Sequence, residues 1–193
     1  MNKNIAFSAV MVLMAALFIA VMPTEAEGAV YDDTVRLHIL AESDSADDQA
    51  IKISLRDAVL AEFGTRLRVA ECADDARAAL GECVTEIEEF CAEELQRIGY
   101  MGGVTVSLIE EWYETREYAN FTLPAGVYTS LRIVIGDGAG QNWWCVMYPP
   151  MCLDVACEND AADKYTDEER VLISGNGYRA KFKILELISS AFS

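Results

Sequence analysis

The chain has 193 residues, of which 32 are Asp or Glu and 15 are Lys or Arg, giving a net charge of −17 at pH 7. Such a surface repels phosphate backbones and anionic headgroups, which argues against nucleic-acid binding and against docking on anionic membranes. The charge otherwise accounts for solubility.

The first predicted element is an apolar segment. Residues 5–22 carry no charge, Lys3 precedes them, and a small-x-small site ends at Ala26. These are the parts of a secretory signal. We interpret residues 1–26 as a signal peptide cleaved after Ala26 or, because the run reaches about the length that spans a bilayer, as a retained N-terminal anchor. Residues 27–193 then form a single exported domain with room for one core.

A strand and a helix follow. Residues 35–40 alternate between branched apolar and polar side chains, which predicts a strand with its apolar face inward. Asp44 or Ser45 is suited to cap the next helix, which we predict to run to about Phe63 and to end at Gly64.

A second helix is predicted from about residue 73 to residue 98. Cys83 and Cys91 lie on its apolar stripe, two helical turns apart, or roughly 12 Å at 1.5 Å per residue. Bonded cysteines need Cα atoms within about 7 Å, so these two cannot pair with each other and are expected as buried free thiols.

The second half of the chain is richer in strands. We predict strands at 104–109, 127–135 and 142–148 and an aromatic strand or hairpin at 111–121. We also predict a short helix at 167–174, capped by Thr166, and a helix at 181–192. Because strands and helices do not alternate regularly, we expect an α+β fold: a mostly antiparallel sheet with two main helices packed on one face.

Residues 136–140 contain three glycines after a predicted strand, as a phosphate-binding loop would. The spacing differs from G-x-G-x-x-G, and a strand rather than a helix follows, so no helix N-terminus faces the loop. We interpret it as a flexible hairpin or bulge loop.

His38 is the single histidine, and its strand parity directs it away from the apolar side, toward solvent or a polar groove. One histidine cannot build a multi-His zinc site, and no nucleophile motif accompanies it. The carboxylates between residues 110 and 117 would suit a glycosidase, but 32 acidic residues produce such groups by chance, so we interpret them as a solvated acidic face. We therefore predict no catalytic residue and no metal.

Trp143 and Trp144 are adjacent on a predicted strand, so their rings point to opposite faces and cannot both fill one core. One of them meets another layer, solvent or a partner, and the sequence leaves these alternatives open. Because Trp, Tyr and Met dominate binding hot spots, we predict a partner-binding surface. Its residues are Trp143, Trp144, Met147, Tyr148, Pro149 and Pro150.

Cys145 and Cys152 bracket the Pro149-Pro150 turn, which is able to bring them within bonding range. We predict a disulfide between them, with a link to Cys157 as the competing pairing. Export permits disulfides.

The sequence contains two extended motifs. The first is Arg36-Leu37-His38-Ile39, Ser43-Asp44-Ser45, Asp48-Gln49-Ala50-x-Lys52 and Arg56-Asp57-Ala58-Val59. The second is Pro124-Ala125-Gly126-x-Tyr128, Leu131-Arg132, Gly136-x-Gly138-x-Gly140-x-Asn142-Trp143-Trp144-Cys145-Val146 and Pro149-Pro150-x-Cys152. Together they resemble the two signatures of the stage II sporulation protein R family. Glu42 and Ala46 depart from the Asn and Pro expected of the family.

Several polar residues of these motifs are predicted to form a structural or recognition network. Within it, Arg36, Asp48, Lys52, Arg56 and Asp57 are expected to join the first strand to the first helix, and only Asp48–Lys52 is an attractive i,i+4 pair. The complete set is Arg36, His38, Asp44, Asp48, Lys52, Arg56, Asp57, Arg132 and Asn142.

The resemblance implies a function. Family members are made in the forespore and exported into the space between the two sporulation membranes, where they activate a membrane-embedded aspartic protease of the mother cell. That protease then processes the precursor of sigma factor E. The resemblance implies a signalling ligand that is no enzyme and needs no cofactor or small-molecule ligand. The alternatives are an exported cell-wall hydrolase using paired carboxylates and a protease inhibitor.

Overall fold

The computed structural model of the chain describes residues 3–22, 24–67, 69–118, 121–150 and 164–174. Helices come first and strands dominate the second half, as the sequence predicts. In chain order the elements are α1 (Lys3–Val21), α2 (Glu25–Asp32), β1 (Val35–Leu40), α3 (Ala46–Leu67), α4 (Ala73–Arg97), β2 (Val104–Tyr113), β3 (Arg116–Glu117), β4 (Thr122–Leu123), β5 (Gly126–Ile135), β6 (Asn142–Tyr148) and α5 (Asp167–Ser174).

Four strands form one mixed sheet in the order β2-β5-β1-β6. β5 pairs antiparallel with β2 and parallel with β1, and β6 pairs antiparallel with β1. The predicted α+β class is confirmed, and antiparallel pairings outnumber the single parallel one among these strands. β2 and β6 are therefore the edge strands. β3 and β4 form a separate short hairpin.

One face of the sheet is apolar and is covered by α3 and α4. Leu37 of β1 and Leu131 of β5 are fully buried there. α4 adds a stripe of buried side chains at helical spacing, which is Ala76, Leu80, Ile87, Cys91 and Leu95. The predicted packing of two main helices on one face is confirmed.

α3 begins where the sequence predicts and ends later. Ser45 caps it, because its hydroxyl accepts the Asp48 N–H at 3.1 Å. The predicted end at Gly64 is wrong, since the helix continues to Leu67. Phe63 and Leu67 are buried in the core, and their packing offsets the roughly 1 kcal/mol that a glycine costs within a helix.

α4 ends as predicted, within one residue. Gly99 has φ = 88°, its N–H bonds the Gln96 carbonyl at 3.0 Å, and the Tyr100 N–H bonds the Leu95 carbonyl at 2.9 Å. These two bonds satisfy carbonyls that the helix end leaves free, and the left-handed φ explains the glycine.

The other sheet face has a second core beneath α2, α5 and the β3–β4 hairpin. Its buried members are Val30, Tyr113, Phe121, Leu123, Tyr128, Val146, Tyr165, Leu172 and Ile173. α5 starts at the predicted cap: the Thr166 N–H bonds Glu169 Oε2 at 2.6 Å, and the Glu169 N–H bonds Thr166 Oγ1 at 3.4 Å.

α2 follows the apolar segment almost directly and packs against the second core through Val30. Thr24 and Glu27 form a capping box, with the Thr24 N–H 2.7 Å from Glu27 Oε2. The Tyr31 hydroxyl donates to the Ala125 carbonyl at 2.9 Å. The predicted cleavage position after Ala26 falls in the first turn of this helix, and the domain boundary stays a prediction.

α1 covers most of the apolar N-terminal segment, and its large side chains, including Ile5, Leu13 and Phe18, are exposed. Among the described residues, no helix is long and apolar enough to cross a membrane. The predicted helix at 181–192 lies outside the described residues.

Candidate functional site

The sheet face opposite α3 and α4 carries charged and polar side chains. Arg36 and His38 of β1 lie in register with Ser130 and Arg132 of β5, so all four are on this face. Five residues joined by hydrogen bonds define what we call the polar cluster, and these are His38, Glu111, Tyr113, Ser130 and Asn142.

His38 is the centre of the polar cluster. Its Nδ1 lies 3.0 and 3.2 Å from the two carboxylate oxygens of Glu111, and its Nε2 lies 2.9 Å from Asn142 Oδ1. The side chain is 10% exposed, which fits the predicted polar environment better than open solvent. An acceptor faces each ring nitrogen, so neither is free to exchange a proton with a substrate.

Glu111 is held as a carboxylate. It accepts the Tyr113 hydroxyl at 2.8 Å, and that hydroxyl lies 2.6 Å from Ser130 Oγ. Burial alone would raise the pKa of Glu111, but hydrogen bonds from His38, Ser130 and Tyr113, with the charge of His38, lower it to about 2. Burial raises the pKa of Tyr113, so its hydroxyl remains a neutral donor.

Arg36 lies beside the polar cluster and is fully buried. Its guanidinium carbon is 3.8 Å from the ring centroid of Tyr113 and 5.0 Å from that of Tyr128, and one nitrogen donates to the Tyr118 hydroxyl at 2.8 Å. Within the described residues, Nε and Nη1 have no hydrogen-bond partner. Aromatic faces therefore hold this cation, and its bond to Tyr118 ties the hairpin segment to the sheet.

Trp144 completes this face. Its ring stacks on His38 at 5.6 Å with an interplanar angle of 22°, and the Arg116 guanidinium lies 3.9 Å from its centroid. Trp143 points to the other face, where it packs on the helix-covered core with the Arg56 guanidinium 4.4 Å from its centroid. The prediction that the two rings face opposite sides is confirmed.

The rest of the predicted partner-binding surface lies inside the protein. Met147 and Tyr148 are 1% and 2% exposed and belong to the helix-covered core, and Pro149 is also buried. Pro150 is half-buried. The prediction that Met147 and Tyr148 belong to a binding surface is wrong, because both side chains pack in the helix-covered core.

The structure does not bring Arg36, Asp48, Lys52, Arg56 and Asp57 into one network. Arg36 is on the face opposite α3, and Arg56 pairs with Asp57 at 2.8 Å beside Trp143. The expected Asp48–Lys52 pair is replaced, because Asp48 accepts a hydrogen bond from Ser43 and Lys52 bonds elsewhere.

Lys52 and Asp44 join the two motif loops, residues 42–45 and 136–141, which we call the loop junction. Lys52 is 3% exposed, and its Nζ donates to Gln49 Oε1 at 2.6 Å and to the Gln141 carbonyl at 2.8 Å. Asp44 Oδ1 accepts the Gln141 N–H at 2.7 Å. A Cβ on Gly140 would lie 2.3 Å from the Ser43 carbonyl oxygen, so the close approach of the loops requires glycine. This explains the glycine-rich loop without a phosphate.

Arg132 is half-buried in the sheet face, and its Nε has no hydrogen-bond partner in the described part of the chain. Asn142 is exposed at the start of β6 and reaches His38. Arg132 lies beside the polar cluster and Asn142 is part of it; the role of both residues in recognition stays a prediction.

Three described cysteines, Cys72, Cys83 and Cys91, carry free thiols. The expectation of a buried free thiol is confirmed for Cys91, whereas Cys83 is free but only half-buried. Burial raises the pKa of Cys91 to about 12, so this thiol is unreactive. Cys145 is buried and disulfide-bonded. Its predicted partner, Cys152, lies outside the described residues, so that pairing stays a prediction.

Sequence reasoning missed Glu111, Tyr113 and Ser130. Glu111 was expected on a solvated acidic face, but its side chain is 17% exposed and bonded to His38. Its strand parity is the signal that could have found it, because alternation in β2 puts Glu111 and Tyr113 on the face opposite Glu110. Within the described residues, no group of three or more His, Cys, Asp or Glu side chains could hold a metal ion.

The chain is similar to known sporulation proteins. A sequence model of the family described as Stage II sporulation protein R matches residues 31–157, which include every strand described above. The Stage II sporulation protein R of Bacillus subtilis (strain 168) is 31% identical over 189 residues, covering 84% of this chain and 83% of that protein. No solved structure matches. The chain therefore belongs to the stage II sporulation protein R family.

Proposed function

We propose that the chain is an exported sporulation signal that activates a membrane-embedded aspartic protease of the mother cell, which leads to processing of the sigma-E precursor. The observation that carries this proposal is the family match over residues 31–157, which spans the whole sheet and both motif loops. The apolar segment before this region supports export into the space between the two sporulation membranes.

The geometry of the polar cluster argues against a catalytic role for His38 and Glu111. Both ring nitrogens of His38 are engaged, and no Ser or Cys of the described residues hydrogen-bonds to it as a nucleophile would. Glu111 does not suit the acid of a paired-carboxylate hydrolase, because that acid needs a raised pKa and the pKa of Glu111 is lowered to about 2. The hydrogen bonds of the cluster instead link all four strands, β2, β5, β1 and β6, across the sheet.

Co-expression tests this function. The full chain, the membrane protease and the sigma-E precursor are produced together in a non-sporulating bacterium, and conversion of the precursor is followed by immunoblot. Processing should require both the chain and the catalytic aspartates of the protease. An unprocessed precursor in the presence of all three proteins would contradict the proposal.

A matched variant lacking residues 5–22 tests export separately. It retains the folded part of the chain and should leave the precursor unprocessed. Processing by that variant, with the protein confined to the cytoplasm, would show that the signal does not need export. A peptidoglycan-release assay with purified domain tests the hydrolase alternative and should show no release above buffer.

A further inference from the structure

The outer edge of β2 presents unused main-chain groups. Glu88 of α4 accepts the Val106 N–H at 2.8 Å, so this amide points away from β5. Main-chain groups of an antiparallel strand alternate in direction, so those of Leu108, Glu110 and Trp112 also point away from β5. In the described part of the chain, no hydrogen bond reaches these three residues from outside the sheet. The strand therefore offers a row of free donors and acceptors.

The same part of the strand carries the exposed aromatic side chain of the sheet. Trp112 is 40% exposed and pairs across the strands with Val127, which is 48% exposed. Their side chains are on the face that α3 and α4 cover elsewhere: a Cβ on Gly81 of α4 would lie 3.9 Å from Leu108. The helical layer covers the first half of β2 and leaves Trp112 and Val127 open.

The charge around this patch defines what would bind it. Glu110 and Glu114 flank Trp112 and are exposed, and the chain carries a net charge of −17. A second copy of the chain would place like charges against each other at this edge, which opposes self-pairing. A basic segment is attracted instead.

We propose that the β2 edge is a docking surface for an extended, basic and partly apolar segment of a partner protein, which adds as a further strand beside β2. Its main chain pairs with Leu108, Glu110 and Trp112, an apolar side chain covers the Trp112–Val127 pair, and its Lys or Arg residues lie beside Glu110 and Glu114. The identity of this partner as the membrane protease rests on the proposed function, whereas the surface itself rests on the geometry.

Amide exchange tests the surface directly. The probe is a synthetic peptide of about ten residues that alternates Lys and Val, added to the purified full chain in a mild detergent. Binding should slow the exchange of the Leu108, Glu110 and Trp112 amides and leave that of Val171, which is exposed on α5, unchanged. Protection elsewhere, no protection, or protection that appears without peptide as protein concentration rises would overturn the proposal; the last result would indicate self-pairing.

Two matched substitutions separate main-chain pairing from charge. Glu110→Pro removes the outward N–H without breaking the ladder to β5, whereas Glu110→Gln removes the charge and keeps the N–H. Peptide affinity should fall about tenfold or more for Glu110→Pro and only about threefold for Glu110→Gln. Equal affinities for Glu110→Pro and the wild type, at unchanged melting temperature, would overturn the proposal.

The co-expression assay distinguishes the surface from the function. If the wild type triggers processing and Glu110→Pro and Trp112→Ser do not, both the surface and its assignment to the protease are supported. If both variants process normally, the surface is not the protease contact although the function stands. If the wild type itself gives no processing while the peptide still protects the β2 amides, the function fails and the surface stands.

Discussion

The two edge strands of the sheet, β2 and β6, both carry tryptophan, and their surroundings differ. On β6, Trp143 and Trp144 lie against Arg56 and Arg116, and the following residues are buried. On β2, Trp112 is 40% exposed at the end of a strand that extends past the helical layer. A dense aromatic motif therefore does not identify a binding surface, because the layers above and below a strand determine which of its side chains are exposed.

The layers themselves explain the difference. The C-terminal half of β6 contributes to both cores: Met147 and Tyr148 to the helix-covered core and Val146 to the core beneath α2 and α5. β2 contributes Tyr113 to the second core, but its other face is open at Trp112. A strand enclosed on both faces stabilises the domain, and a strand open on one face is available for binding.

The largest difference in stability is expected between a truncated side chain of β6 and a truncated side chain next to Trp112 of β2. Met147→Ala should lower the free energy of unfolding by about 2 to 5 kcal/mol, because it opens a cavity in the core. Val127→Ala, beside Trp112, should cost less than about 0.5 kcal/mol, as surface substitutions do. Urea denaturation measures both. Similar small losses would show that Met147 is exposed in solution and would restore β6 as a candidate surface.

Reducing the disulfide of Cys145 should give the second-largest loss of stability. If its partner is Cys152, the loop is short, and reduction should cost about 2 to 3 kcal/mol on the chain-entropy estimate. Unfolding with and without reductant measures this loss, and a Cys145→Ala, Cys152→Ala variant serves as the reductant-insensitive control. Peptide mapping of non-reduced protein should find these two residues linked, and a link from Cys145 to Cys157 would contradict the pairing.

Elements with strong local signals were predictable from the sequence. The bounds of β6 and α5, and those of α4 within a residue, follow from alternation, helical spacing and capping residues such as Thr166. The end of α3 was not, because the buried position of Leu67 depends on the α4 packing rather than on Gly64. Local propensity yields to tertiary packing at such positions.

The candidate site was only partly predictable. The parity of His38 indicated a polar environment, but Glu111 and Asn142 are 73 and 104 residues away from it in the chain. The order β2-β5-β1-β6 brings them together, and strand order cannot be inferred from alternation along single strands. The burial of Met147 depends in the same way on which strand becomes an edge and what covers it.

The carboxylates on the two faces of β2, Glu111 and Glu110, should contribute differently to the pH dependence of the free energy of unfolding. The folded pKa of Glu111, about 2, lies below its ordinary value of about 4.3, so its carboxylate stabilises the fold above about pH 4.3, and this contribution is lost as pH falls toward 2. Glu111→Gln should cost about 1 to 2 kcal/mol near neutral pH, after a discount for partial solvent screening, and the difference from wild type should shrink toward pH 2.

Glu110→Gln is the control for this measurement, because Glu110 is exposed on the opposite face of the same strand. Denaturation curves recorded between about pH 2 and pH 6 should be the same for it as for the wild type. If both variants change the pH profile equally, the effect comes from the net charge of the protein rather than from the bond between Glu111 and His38.

The arginine beside Trp143 should give the smallest effect. Arg56 lies 4.4 Å from the Trp143 ring centroid and also pairs with Asp57, whose side chain is 62% exposed. Arg56→Gln removes both contacts and should cost about 0.5 to 1 kcal/mol, the range of a cation–π contact that is partly open to solvent. Asp57→Asn removes only the ion pair and should cost close to nothing, because exposed pairs contribute little. Acrylamide quenching of tryptophan fluorescence should increase for Arg56→Gln alone. Without the arginine the Trp143 ring becomes more exposed to solvent, as the Trp112 ring of β2 already is. An equal loss of stability in both variants would show that the ion pair, rather than the ring contact, holds Arg56 in place.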